Sequence, residues 1–416
     1  MVKQQTRFTS GQRSLANAVF IMQRHRPAQR VACDVAGYFL WLIAALMGWG
    51  VWPHAEGLAQ EPLAPGSLLT STAPGNQVLN GRQETLTPDS HVEELASFEI
   101  GLEPLPEHTS APVVTALAAS HDGRFIAAAG DDHAIRIIDV VSGKTFSTLS
   151  GHTDWIQSLV FSSDSQNLYS AGNDGRVLKW DHRYPVSHDL ILQVDFAIRA
   201  ITLSTERNLL AICGFSDAVL LWDLNSKQIR HRFQCESQDQ RCVRFSPDGA
   251  RLLRGGRLGE ICVWDTQTGL ELAHYRAHQR RVFTAAFSVD GNQVTSVGED
   301  RRLVRFDIAT GQPTFEAEVA RGKLMSMCLI NDTLVAAAGA DNSIVLFDVL
   351  AGGIVAQLKG HTGTVAVMVP CGELLASGSF DTTLRIWDLQ RIGERHADYG
   401  KPVVSPMKMD RGLHIR

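Results

Sequence analysis

The stretch "SAGNDGRVLKWDHR", Ser170 to Arg183, closes an apolar run on Trp180 followed by Asp181. One such pair carries no information, but the step recurs. Strides of 42, 41 or 40 residues from it land on Ile138-Asp139, Trp222-Asp223, Trp264-Asp265, Phe306-Asp307, Phe347-Asp348 and Trp387-Asp388. A large apolar residue followed by Asp therefore occurs seven times, at a spacing inside the range of about 20 to 50 residues that marks repeat architectures.

Each period reads as short strands and turns. In "GHTDWIQSLVFSSDSQNLYSAGNDGRVLKWD" the alternating run "WIQSLVF" gives way to the turn "SSDSQ", the strand "NLYSAG", the turn "NDG" and the strand "RVLKW". The first turn returns as "ASHDGR", "FSPDGA" and "FSVDGN", and Asp and Gly suit such type I turns. A four-stranded unit cannot bury both of its faces alone, so the units must pack on one another around an axis. The expected fold class is all-β: a seven-bladed β-propeller of four-stranded blades, preceded by an N-terminal apolar helix.

Spacing and residue types together resemble the WD40 repeat family over about Glu93 to Arg391. Gly151-His152 and Gly360-His361 match its G-H signature intact, and Ala277-His278 nearly does. The resemblance implies a structural tetrad of His, Ser or Thr, Asp and Trp within a blade. His152, Ser170, Asp174 and Trp180 supply one, and His361, Ser377, Asp381 and Trp387 another; His278, Ser296 and Asp300 end on Phe306. Ser, His and Asp together also invite a hydrolase reading. Recurrence in several blades argues instead for tying buried polar groups to one another. Ser216 and Leu258 replace the turn Asp in blades three and four, which are expected to be less cross-linked. The last blade ends at "TLRIWDLQ", so "ASFEIGL", Ala96 to Leu102, is expected to supply its fourth strand and leave no open sheet edge.

The resemblance further implies a non-enzymatic protein scaffold that binds on the rim of a central channel, at residues beside each first strand and before each turn Asp. Blades three to six place Arg199, Arg241, Arg257, Arg281 and Lys323 on one arc, with Phe215 and Phe283 beside them. Trp155 and Phe380 complete the partner-binding candidates. Arg and aromatic residues anchor interfaces, and clustered Arg captures carboxylate or phosphate. The expected partner is a protein or peptide, and for the Arg arc an acidic protein segment or an anionic polymer. Pairing of these Arg residues with Asp239 or Glu299 is the bland alternative. A lactonase-type or other hydrolytic propeller would need converging acids or His that the rim does not supply. A nucleic-acid binder would use Phe215 and Phe283 for stacking, but the net charge of −5 offers no general attraction to nucleic acid. No cofactor or metal site is expected, since the seven cysteines show no C-x-x-C pair and no zinc-like spacing.

The N-terminus carries a different signal. Residues 1–34 are basic up to Arg30 without an Asp or Glu, and Val35 to Trp52 hold 18 residues without a charge. As a helix they would rise about 27 Å, enough for a thin hydrocarbon core. A signal peptide core or membrane anchor at 35–52 is expected, followed by a linker at 53–92, the propeller at 93–391 and a tail at 392–416. The expected location is membrane-anchored, secreted or periplasmic, with a bacterial envelope favoured. Cys213, Cys262 and Cys328 sit in apolar runs as small hydrophobes, and Cys235 and Cys242 could bridge in an exported protein.

Overall fold

In the computed structural model, which describes residues 97–106, 109–184 and 187–390, the alternating runs form 28 strands. They make seven four-stranded antiparallel sheets, six of which run in sequence order from the innermost strand outward, while the seventh takes its outermost strand from the segment before blade one. Blade two is Ile156–Phe161, Asn167–Gly172, Arg176–Asp181 and His188–Gln193. Its second strand is almost wholly buried because neighbouring blades cover both faces, while its fourth keeps polar and apolar residues open at the outside. The core lies between blades: Leu168, Leu178 and Trp180 pack with Ile135, Ile137 and Leu149 of blade one. Each Leu or Ile so buried contributes about 2 kcal/mol relative to exposure.

The turns are fixed by the residues that announced them. Ser162 Oγ donates to Asp164 at 2.5 Å, and Ser246 Oγ to Asp248 at 2.6 Å. The residue after Asp248 is Gly249, at φ 66°, the left-handed conformation glycine adopts at least cost. At Gly172 the need is space: a Cβ there would stand 2.3 Å from the Trp155 carbonyl oxygen. That carbonyl accepts the Asn173 N–H at 2.9 Å.

The ring is closed by the segment before blade one. Ser97–Gly101 pairs antiparallel with Thr383–Asp388, Ser97 opposite Trp387 and Gly101 opposite Thr383. Arg385 donates to Ser97 Oγ at 2.8 Å and pairs with Glu99, joining residues 288 and 286 positions apart.

One backbone irregularity recurs in every blade and positions the site. Each innermost strand skips a residue in its pairing with the second strand, a β-bulge. The extra residue is Thr115, Gln157, Arg199, Arg241, Phe283, Met325 or Ala366, from blade one to blade seven. A bulge bends the strand and re-aims a side chain, and all seven of these positions belong to the rim.

Several expectations need correction. The basic segment, the apolar run, the linker and the tail lie outside the described residues, so the expected N-terminal helix finds no support. Among the described residues no helix is long and apolar enough to cross a membrane. Cys235 and Cys242 do not bridge, because both are buried and free and they face different cores. Cys235 packs with Phe233 and Trp264 between blades three and four, whereas Cys242 packs with Val282 and Phe287 of blade five. The two irregular blades also differ from each other. Ile212 and Arg254 occupy the register of Ser170. In blade three the Trp222 Nε1 is consequently buried without a hydrogen-bond partner. Blade four is cross-linked through Arg254 instead, which donates a hydrogen bond to Gln240 Oε1 at 3.3 Å and pairs ionically with Glu260 Oε2 at 3.7 Å.

Candidate functional site

Two polar constellations stand out from this frame, and their burial separates them. In blade two His152 Nδ1 lies 2.8 Å from Asp174 and Nε2 lies 2.7 Å from Ser170 Oγ, which also accepts the Trp180 Nε1–H at 2.7 Å. Blade seven repeats the set with His361 at 2.9 Å from Asp381 and 2.8 Å from Ser377, and Trp387 at 2.9 Å from Ser377. Blade five has His278 at 2.9 Å from both Asp300 and Ser296, with Phe306 where the indole would stand. Ser170, Ser296 and Ser377 have no solvent exposure at all. A hydroxyl sealed between an imidazole and an indole cannot meet a substrate, so these groups hold the blade together.

Their charges are set accordingly. Burial would raise the Asp174 carboxyl, but His152 and the N–H groups of Thr153 and Arg176 outweigh it and hold it below the usual range. Asp381 experiences the same opposition, and Thr383, Thr362 and His361 hold it at about 2. Burial depresses the His361 imidazolium.

The rim is different in kind. Arg199, Phe215, Arg241, Phe283 and Arg281 alternate into a ladder across blades three to five. The Arg199 guanidinium lies 5.9 Å from the Phe215 ring centre and that of Arg241 5.3 Å from it. Arg241 and Arg281 lie 5.9 and 5.7 Å from the Phe283 ring centre. The bulges account for three rungs, Arg199, Arg241 and Phe283. Cation–π contacts of this kind contribute about 0.5–2 kcal/mol each, more where water is excluded.

Two carboxylates thread the same ladder. Asp239 lies 2.5 Å from Arg241 Nε and 3.1 Å from Arg281, and Glu299 bridges Arg281 at 3.8 Å to Lys323 at 2.7 Å. Three of the cations are thus partnered. Arg199 is not: among the described residues it forms no ion pair. Burial, reinforced by repulsion from Arg241 and incompletely offset by Asp239, pushes its guanidinium down to about 9. It is partly exposed, and Asp239, the carboxylate that acts on it, is already engaged by Arg241 and Arg281.

Trp155, Arg257 and Phe380 stay apart, with no ring contact or ion pair tying them to the ladder among the described residues. Beside Arg199, residues Asn173 to Gly175 and Val194 to Ala197 line a cavity of about 200 Å³ between blades two and three. Asn173 Oδ1 is buried without a hydrogen-bond partner. The pairing with Asp239 and Glu299, set out above as the bland alternative, is what the structure shows for Arg241, Arg281 and Lys323.

Comparison with known proteins agrees with the repeat. The family model of the WD domain, G-beta repeat, matches residues 102–139, 143–181, 227–265, 269–307 and 352–388. The unmatched periods are those of blades three and six, where Ile212 and Ala337 stand at the Ser position of the tetrad. A periodic tryptophan protein 2 homolog of Neurospora crassa is 25% identical over 344 residues, covering 65% of this chain and 38% of the relative. The guanine nucleotide-binding protein subunit beta of Saccharomyces cerevisiae is 25% identical over 295 residues, 66% of this chain and 67% of the relative. A WD repeat-containing protein 26 homolog of Arabidopsis thaliana is 23% identical over 404 residues, 82% of this chain and 67% of the relative. The chain spans about 38% of the length of the periodic tryptophan protein 2 relatives.

These similarities overturn the envelope placement. The relatives named above come from two fungi and a plant, and among the described residues no helix is long and apolar enough to cross a membrane. The expectation of a membrane-anchored, secreted or periplasmic propeller is withdrawn.

Proposed function

The chain belongs to the WD40 repeat family, whose propellers bind protein partners, and from that premise we propose that it is a non-enzymatic scaffold holding an acidic protein segment on blades three to five. The observation that carries this reading is Arg199, a cation walled by protein and lacking a carboxylate of its own. A glutamate or aspartate side chain entering the channel mouth would supply the missing charge. It would meet Phe215 on one flank and the Asn173 cavity on the other. Arg241 and Arg281 face the same ligand but already share Asp239, so they add field and stacking surface more than free hydrogen-bond donors.

A charge-assisted hydrogen bond to a desolvated guanidinium contributes about 1.5–3 kcal/mol, or at least roughly tenfold in affinity. The experiment is fluorescence anisotropy of a labelled glutamate-rich peptide with the wild type and with Arg199→Glu. This substitution breaks no ion pair inside the protein. Binding weakened tenfold or more supports the proposal; equal binding by both proteins removes it.

A further inference from the structure

On the flank of blade four that faces blade three, β-pairing assembles a group that no spacing in the sequence reveals. Strand Glu260–Asp265 pairs with Glu271–Arg276, placing Cys262 opposite His274 and Trp264 opposite Glu271, with a bulge between the two pairs. Alternate residues of a strand share a face, so Glu260, Cys262 and Trp264 point one way. Their partners follow them. The bulge absorbs Leu272, which lets Glu271 and His274, three positions apart, project together. Arg254 faces Cys262 from the strand on the other side.

The result is a compact ligand set. Cys262 Sγ, a Glu271 carboxylate oxygen and a His274 ring nitrogen all lie within 4.8 Å of one another. His274 Nδ1 stands 3.6 Å from Glu271 Oε1, while its Nε2 stands 3.5 Å from Glu260 Oε2. That Glu260 oxygen is buried and accepts no hydrogen bond. Bond lengths of about 2.0–2.3 Å and tetrahedral angles separate zinc ligands by roughly 3.3–3.7 Å. Small side-chain rotations close the difference.

We propose that Cys262, Glu271 and His274 Nδ1 bind a zinc ion, with water in the fourth position and Glu260 accepting the His274 Nε2–H behind it. Thiolate and imidazole select zinc over the hard cations, which prefer oxygen. A carboxylate that receives the second ring N–H of a ligating His is the usual support of such a site, and it gives the Glu260 oxygen the hydrogen bond it lacks. Binding forms the zinc–sulfur bond and releases the thiol proton to solvent. The imidazole stays neutral and donates its Nδ1 lone pair. With the thiol ionised, zinc and Arg254 together match the charge of Cys262, Glu260 and Glu271. The ion would clamp the third strand of blade four to the fourth, in a blade that lacks the His–Ser–Asp tetrad.

The test uses the full chain, stripped with chelator and titrated with Zn²⁺ and with Co²⁺ as a spectroscopic probe. The expected result is one ion per chain and a thiolate-to-cobalt absorption band. Cys262→Ser should abolish the band, and His274→Ala, at a partly exposed site, should lose binding without loss of fold. Glu260→Gln should weaken binding about 10- to 100-fold. A folded wild type that binds neither metal overturns the proposal. So does a cobalt complex without the thiolate band, or undiminished binding by His274→Ala.

Discussion

Replacing Ser170 with alanine tests how the blades are held together, because the structure contains its own control. Ser170 Oγ accepts from Trp180 and bonds His152, each at 2.7 Å, and the residue is fully buried. Alanine fits the space but strands two buried polar groups, an indole N–H and an imidazole nitrogen. Each stranded group costs about 1–3 kcal/mol, so Ser170→Ala should cost about 2–6 kcal/mol. Ser296→Ala in blade five strands only His278 Nε2, since Phe306 has no N–H to lose. It should cost about half as much, about 1–3 kcal/mol. Urea denaturation followed by tryptophan fluorescence reads both, and Ser377→Ala should track Ser170→Ala. If Ser296→Ala proves as costly as Ser170→Ala, the Trp N–H contributes nothing and the reasoning fails.

Three other outcomes are expected. Acid should loosen blade seven in two stages: His361, depressed below its ordinary value of 6.5, loses stability as pH falls through that value, and Asp381, held at about 2, loses stability from about pH 4 downward. Melting temperature against pH should therefore flatten below pH 4 in Asp381→Asn relative to wild type. Arg199→Met should raise stability by about 1 kcal/mol while weakening the acidic probe, because a desolvated cation without a partner costs the fold; a fall in melting temperature would contradict this. Arg385→Ala removes the contacts to Ser97 and Glu99 that pin the closing strand. It should cost at most about 1 kcal/mol globally, yet speed proteolysis near residue 101.

Much of this molecule is legible in one dimension because repetition averages out noise. The Trp-Asp step, the Asp-Gly turns and the G-H pairs each report a local requirement, and local requirements survive in sequence. Arg199, Arg241 and Phe283 were reachable only through the resemblance. A β-bulge is a slip in backbone register and leaves no residue type to read. Arg254 shows a second limit: Leu258 in place of the turn Asp suggests a weakened blade, but the compensating Arg254–Glu260 contact exists only once the strands are paired. Cys262 and His274 are 12 positions apart, and only the cross-strand register makes them neighbours. The apolar stretch at 35–52 illustrates the opposite error. Its composition is real, but composition alone assigned the propeller to an envelope, and that placement did not survive comparison.

The most direct measurement is hydrogen–deuterium exchange of the full chain with and without the glutamate-rich peptide. Protection concentrated on the innermost strands Ile198–Ser204, Gln240–Phe245 and Val282–Phe287 is the predicted result. Protection confined to the outer strands, or to blades one, six and seven, would contradict capture at the Arg199 ladder.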